Sequence, residues 1–317
     1  MFIERDMIKL SVYLPNNIMD NDDFSNMFPD WNSDRVFEQT GIRSRHYSAD
    51  DEKSSDMACA AIDNLAREHN IDKNSVDFLI CVTETPDNML PATAFKIHRL
   101  SGLPKTCGAF DINHGCAGFA YGLFTAKSMI MSGMASNIIV VTSDILSKYC
   151  SADDRGIKTL IGDGASACLI DRAAAESMGE FIYGSDGSGY EDIIIKKDDS
   201  GSPALYMNGM NVFYFAISEV PAIIDEILAK NNMVLDDIDH IVLHQANKTI
   251  LEYIRKRLKA GSDRFFINME TTGNTASSTI PLALDALAKG GRLEKGMKIL
   301  ILGFGVGLSW CGTIIEW

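Results

Sequence analysis

The 317-residue chain lacks a Cys-x-x-Cys pair, a run of about 18 uninterrupted apolar residues, a low-complexity tract and any excess of positive charge. Its seven cysteines, Cys59, Cys81, Cys107, Cys116, Cys150, Cys168 and Cys311, are an odd number, scattered and mostly inside apolar runs. That pattern points away from a disulfide framework and from a zinc or iron–sulfur site, and no metal is expected. The opening stretch "MFIERDMIKLSVYLP" places charges where a secretory segment would need an apolar run, so the chain reads as cytoplasmic and non-membrane. Lys plus Arg number 29 against 43 Asp plus Glu, a formal charge of 29 − 43 = −14. Such a surface repels a polyphosphate backbone and argues against nucleic acid as a partner. Any acidic partner must meet a local basic patch.

What is present is an alternation of apolar strand-like runs with helical patterns, the mark of an α/β fold with largely buried sheets. Strands are expected at 76–83 ("VDFLICVT"), 108–113, 137–143 ("NIIVVTS"), 238–243, 265–268 and 297–304 ("MKILILGF"). Between them, Met57, Ala58, Ala61, Ile62 and Leu65 share one helical stripe, with Ser54 or Ser55 as N-cap. A longer helix is expected over about 211–230, where Pro221 predicts a kink or a break into two helices. The stretch 172–203 is rich in Gly, Ser and Asp and reads as surface turns and short strands between two sheet-rich halves.

Four local patterns carry chemistry. In "DINHGCAGFAYGL" (111–123) Cys116 stands where a strand hands over to a helix N-terminus, whose unpaired N–H groups and dipole favour a thiolate by roughly 0.3–1 kcal/mol. Gly115 and Gly118 on either side would allow a sharp turn and a close substrate. The alternative is one more buried, inert thiol. In "DHIVLHQANKTILEYIRKRL" a buried strand runs out at His244, either into a crevice at a strand end or as a structural histidine. His240 and His244 have the i, i+4 spacing of a zinc helix, but the intervening "IVL" is strand-like and no acidic ligand motif follows. Asn274 lies in a Gly-Asn-Thr turn, where asparagine commonly serves the turn itself. Finally "ILGFGVGLSWCG" is a glycine turn between two strands, whose exposed N–H groups suit half of an oxyanion hole.

Together these segments resemble the β-ketoacyl-acyl-carrier-protein (ACP) synthase III family of the thiolase superfamily. The resemblance rests on "TGIRSRHYSADDE" (40–52), "TETPDNMLP" (83–91), "GCAGF" (115–119), "DDRG" (153–156), "IGDGAS" (161–166), "HQAN" (244–247) and "GNTASSTIPLALD" (273–285), in that order along the whole chain. It implies two similar α/β halves, 1–172 and 173–317, packed as a five-layered α-β-α-β-α thiolase-like fold, in a homodimer. It also implies the site: Cys116 as the nucleophile that forms an acyl-enzyme, with His244 and Asn274 binding the thioester carbonyl and stabilising the enolate left by malonyl decarboxylation. The backbone N–H groups of Cys116 and Val306 would form the oxyanion hole, Phe304 would be the ring beside the thiol, and Leu90 would supply a wall of the partner's acyl pocket. No cofactor is implied beyond acyl-CoA or acyl-ACP and malonyl-ACP as substrates.

Substrate features are less regular. The family stacks the adenine of coenzyme A between a Trp and an Arg, here Arg35 and Arg155, with Gln39 at a neighbouring arginine position; delivery by a carrier protein is the alternative. Asn247, Lys248, Arg255, Lys256, Arg257 and Lys259 would bind the thioester arm or an acidic carrier, although family docking residues correspond to Thr249 and Tyr214. Leu90 and Met89 make a thin, adaptable wall that suggests an acyl chain longer than acetyl. His114, in place of a small residue, hints at relatives that use a hydroxyl or amine acceptor. A papain-like hydrolase shares the chain order Cys, His, Asn but not the local cysteine signature, and a silent subunit would not need the intact set.

Overall fold

Residues that alternate along a strand buried on both faces must find two different partners, and this parity organises the molecule. The computed structural model describes residues 8–317 except 29, 152 and 153. Its strands are β1 (Lys9–Tyr13), β2 (Asn17–Asp20), β3 (Ser44–Tyr47), β4 (Phe78–Val82), β5 (Gly108–Ile112), β6 (Ile138–Asp144), β7 (Gly164–Ile170), β8 (Ile182–Ser185), β9 (Ile193–Lys197), β10 (Pro203–Met207), β11 (His240–Leu243), β12 (Lys298–Gly305) and β13 (Ser309–Glu316). One sheet runs β1-β7-β6-β4-β5 and another β11-β12-β13-β8, while β2–β3 and β9–β10 are separate antiparallel pairs.

In the first sheet Leu79, Cys81, Ile139 and Val141 pack outward on the helices Ser54–Glu68 and Thr93–Leu100. Their neighbours Ile80, Val82, Ile138 and Val140 pack inward on the helices Gly118–Met131 and Thr279–Lys289. The second sheet offers Val242, Ile299 and Ile301 to the same inner layer. Its opposite parity, Ile241, Leu243, Leu300 and Leu302, meets the helices Gly209–Lys230 and Lys248–Leu258. Helices, sheet, two central helices, sheet, helices: this is the five-layered α-β-α-β-α arrangement. The first sheet draws on residues 9–170 and the second on 182–316.

Three local expectations change. The helix Gly209–Lys230 continues through Pro221 as one 22-residue element, because Val220, Ile223, Ile224 and Ile227 are buried around the missing N–H. Proline's cost of roughly 3 kcal/mol is offset by that packing. Residues 265–268 form no strand; Phe265 makes a single bridge to Ile241. Ser54 and Ser55 are not the N-cap but lie inside the helix, their hydroxyls donating to Thr85 O (2.7 Å) and Asp87 Oδ2 (2.7 Å). The polar stretch 172–203 supplies β8 to the second sheet and β9 to a hairpin. No helix among the described residues is long and apolar enough to cross a membrane.

Candidate active site

Cys116 follows β5 by four residues and precedes the helix Gly118–Met131 by two, so the thiol does stand at the strand-to-helix junction. The flanking glycines serve packing rather than an unusual turn. A Cβ on Gly115 would lie 2.0 Å from Glu84 Oε2, and one on Gly118 would lie 2.4 Å from Val82 Cγ1. From the other half, β12 closes on the same turn: a Cβ on Gly305 would lie 2.8 Å from Cys116 Sγ. The two halves therefore meet at the sulfur.

That meeting removes water, and the electrostatic consequence reverses the expectation of a ready thiolate. Burial pushes the Cys116 thiol up to about 12, the Glu84 carboxyl adds to the rise, and the backbone N–H groups of Val306 and of Cys116 itself only partly oppose it. A helix terminus worth roughly 0.3–1 kcal/mol cannot outweigh desolvation of this size. Burial thus favours the protonated sulfur.

His244 ends β11 and is 2 % exposed. Its Nδ1 lies 2.8 Å from Thr279 Oγ1, and its ring meets Phe304 edge-on at 5.7 Å. Burial drives the imidazole down to about 3, so it is neutral at pH 7. Phe304 itself is 2 % exposed and belongs to the apolar cluster outside the second sheet, while the next residue, Gly305, faces the sulfur. Asn274 is fixed by both halves. Its N–H donates to Leu160 O (2.8 Å), its carbonyl accepts from Gly162 N (3.0 Å), and Oδ1 accepts from Ala276 N (3.0 Å). With Oδ1 engaged, the side-chain amide presents its N–H₂ donors.

Cys116, Asn274 and Val306 line one cavity of about 360 Å³, with Glu84, Asn113, Leu146, Ile157 and Ile161. The hairpin β9–β10 closes it through Ile193, Ile194, Ile195, Leu205 and Met207. Short strands were expected in this stretch but not their part in the cavity, for which three consecutive isoleucines inside a polar stretch were the signal. Glu84 was missed too, as a carboxyl directly after a fully apolar strand. His114, by contrast, stacks on Tyr121 (4.7 Å), with Nε2 3.4 Å from Ser309 Oγ, and does not line the cavity.

The family model for 3-oxoacyl-ACP synthase III matches residues 110–187, and that for the C-terminal part of the same enzyme matches 228–317. The chain is 36 % identical over 316 residues to a β-ketoacyl-ACP synthase III of Clostridium novyi, covering 96 % of each chain. It is 34 % identical to that of Clostridium acetobutylicum, covering 98 % of each. It belongs to the 3-oxoacyl-ACP synthase III family. A crystal structure of a 3-oxoacyl-ACP synthase III superposes with a TM-score of 0.92 at 37 % identity, covering 97 % of this chain and 98 % of the other. The Thermus thermophilus enzyme superposes at 0.90 and 32 % identity, covering 97 % and 98 %. The thiolase-like fold follows from both.

Against that family background the remaining residues divide. Arg155 opens the short helix Arg155–Lys158, and its guanidinium sits 4.7 Å over the Phe28 ring; Asp153 of the "DDRG" segment lies outside the described residues. Arg35 lines a separate groove of about 340 Å³ with Trp31, Asn32 and Gln39. Asn247 is a helix N-cap, Oδ1 accepting from Ile250 N at 2.9 Å, so part of its side chain is already committed. Lys248 folds over the Phe37 ring at 5.4 Å. Arg255 is paired with Glu252 at 2.7 Å and donates to Ala260 O, so its charge is largely spent within its own helix. Lys256, Arg257 and Lys259 are exposed. Leu90 and Met89 are 86 % and 102 % exposed in the single chain, outside its own cavity.

Proposed function

We propose that this synthase III catalyses acyl transfer from a thioester to Cys116, followed by decarboxylative condensation with malonyl-ACP to give a 3-oxoacyl-ACP. The observation that carries the reading is that Cys116, Asn274 and Val306 face one apolar cavity, with the His244 ring anchored at the same junction. In the first step Sγ attacks the thioester carbonyl while the N–H groups of Cys116 and Val306 receive the developing oxyanion. In the second, CO₂ leaves malonyl-ACP and the enolate oxygen is held by Asn274 Nδ2 and His244 Nε2, so that the enolate carbon can attack the acyl-enzyme and release Sγ. A neutral imidazole fits this role in the tautomer that carries its proton on Nε2, for which the Thr279 hydroxyl turns from Ala276 O (3.2 Å) to donate to Nδ1 (2.8 Å). Losing one such donor costs about 3–4 kcal/mol of transition-state stabilisation. Val306 in place of glycine is compatible, since only its backbone N–H is used.

The apolar lining supports an acyl chain longer than acetyl as the donor. Lys256, Arg257, Lys259 and Lys248 supply the positive surface that an acidic carrier needs. Exposed Leu90 and Met89 fit a homodimer in which this loop meets a second copy. Seven unpaired cysteines suit a reducing cytoplasm, and the chemistry needs no metal or redox cofactor. The hydroxyl- or amine-acceptor alternative rests on His114, which stacks on Tyr121 beside Ser309. The test is intact-mass analysis after incubation with acetyl, medium-chain and branched acyl groups, each on coenzyme A and on carrier protein. One acyl increment on Cys116 is expected, lost in Cys116→Ala; no increment with any donor would overturn the reading.

A further inference from the structure

If the sulfur rests as a thiol, its proton must go somewhere as it attacks. Burial and the nearby Glu84 carboxyl both favour the protonated form, so a group that takes the proton during attack would raise the rate. His244 does not serve as the base: its Nδ1 is engaged by Thr279, and burial leaves it nearly non-basic, down at about 3. Among the residues lining the cavity, Glu84 alone carries a carboxyl, imidazole or amine group. Its carboxyl rests on the Cα of Gly115, the chain neighbour of Cys116, in space that exists because Gly115 has no Cβ.

We propose that Glu84 is the proton shuttle of the acylation step, accepting the Cys116 proton during attack and returning it to the leaving thiol. As Sγ bonds to the acyl carbon, the S–H proton passes to a Glu84 carboxylate oxygen. When the thioester C–S bond breaks, the leaving sulfur takes that proton from the Glu84 carboxylic acid. Charge and protons balance, and no redox partner is involved.

The surroundings tune the group for this work. The titratable groups facing it are Cys116 and the buried Asp144 at the end of β6. Asp144 accepts from Glu84 N (2.9 Å), Ser277 N (3.1 Å), Thr83 Oγ1 (3.2 Å) and the Ser277 hydroxyl, whereas no described residue donates a hydrogen bond to the Glu84 carboxyl. Of two neighbouring carboxyls, the one without donors is the weaker acid, so Glu84 is the one that exchanges a proton near neutral pH. Burial and Asp144 push Glu84 up to about 8, close to working pH, where a general base is most effective.

The inference rests on the acyl-transfer reading, and the test separates the two. Rates of adduct formation on Cys116 are measured by intact mass from pH 6 to 10 with butyryl-N-acetylcysteamine. Alkylation of Cys116 by chloroacetamide, which needs no acyl chemistry, is followed in parallel. The unaltered protein is expected to gain rate in both through a midpoint near pH 8. Glu84→Gln should acylate roughly 10²–10⁴-fold more slowly, with that midpoint gone, and Glu84→Asp should recover part of the rate together with the pH dependence. Wild-type rates in Glu84→Gln would overturn the proposal. So would a wild-type alkylation profile that rises only above pH 9, a measurement that stands even where the variant fails to fold. Failure of acylation with the alkylation midpoint intact would instead count against the acyl-transfer reading.

Discussion

Replacing Gly305 with alanine presses one methyl group onto the nucleophile. The new Cβ would lie 2.8 Å from Cys116 Sγ and 2.9 Å from Cys116 Cβ. Carbon contacts settle at about 3.5–4.0 Å, so sulfur and methyl must part by roughly 0.7–1.2 Å. Gly305 also has φ +149°, a conformation that costs an L side chain roughly 1–3 kcal/mol. Sulfur is held on one side by the turn before the Gly118–Met131 helix, so the displacement is expected to fall on the attack geometry. An error of about 1 Å there costs around 10²-fold in rate. The assay is single-turnover acylation by intact mass, with thermal melting alongside. Acylation should drop by roughly two orders of magnitude while the protein still melts cooperatively, a few degrees lower. Gly187→Ala, where a Cβ meets nothing within 4 Å, is the control and should leave both unchanged. A Gly305→Ala enzyme that acylates at the wild-type rate would refute the close approach of β12 to the thiol.

Asn274→Ala should form the acyl-enzyme but lose malonyl decarboxylation by about 3–4 kcal/mol, some 10²–10³-fold, read as CO₂ release. His244 is held neutral, down at about 3 against an ordinary 6.5, so the unfolded chain takes up a proton below pH 6.5 where the native state does not. Stability is therefore lost as pH falls from 6.5 toward 3, by up to about 2 kcal/mol at pH 5; His244→Gln should remove that share from denaturant melts at pH 7 and 5. Lys256→Glu with Arg257→Glu should weaken turnover of carrier-bound substrates several-fold at low salt and leave N-acetylcysteamine thioesters unaffected, measured as kcat/KM against ionic strength.

What the sequence made legible was whatever one short segment determines. The parity of "FLICV" and "IIVVTSD" announces strands covered on both faces, and "GCAGF", "HQAN" and "GNTASSTIP" each place a side chain at the end of a strand or in a turn. Pro221 does not break its helix because the loss of one N–H, visible locally, is outweighed by the burial of Val220, Ile223 and Ile227, which is not. The part of the hairpin β9–β10 in the cavity was hidden for the same reason: its polar flanks face solvent, and only the cavity explains Ile193–Ile195. Arg255 looked like a docking charge because a sequence shows its sign but not its pairing with Glu252.

The thiol shows how far a local rule carries. A helix N-terminus favours a thiolate, but the helix cannot be considered apart from the strand that closes over it. The approach of β12 through Gly305 brings the oxyanion donors of the second half to Cys116, and burial at this junction raises the thiol and Glu84 and lowers His244. Desolvation thus sets all three protonation states together: a thiol that must be deprotonated in the act, an imidazole kept neutral as a donor, and a carboxyl raised toward neutrality. A site opened to water would hold a more acidic thiol, and it would lose the neutral imidazole and the titrating carboxyl along with it.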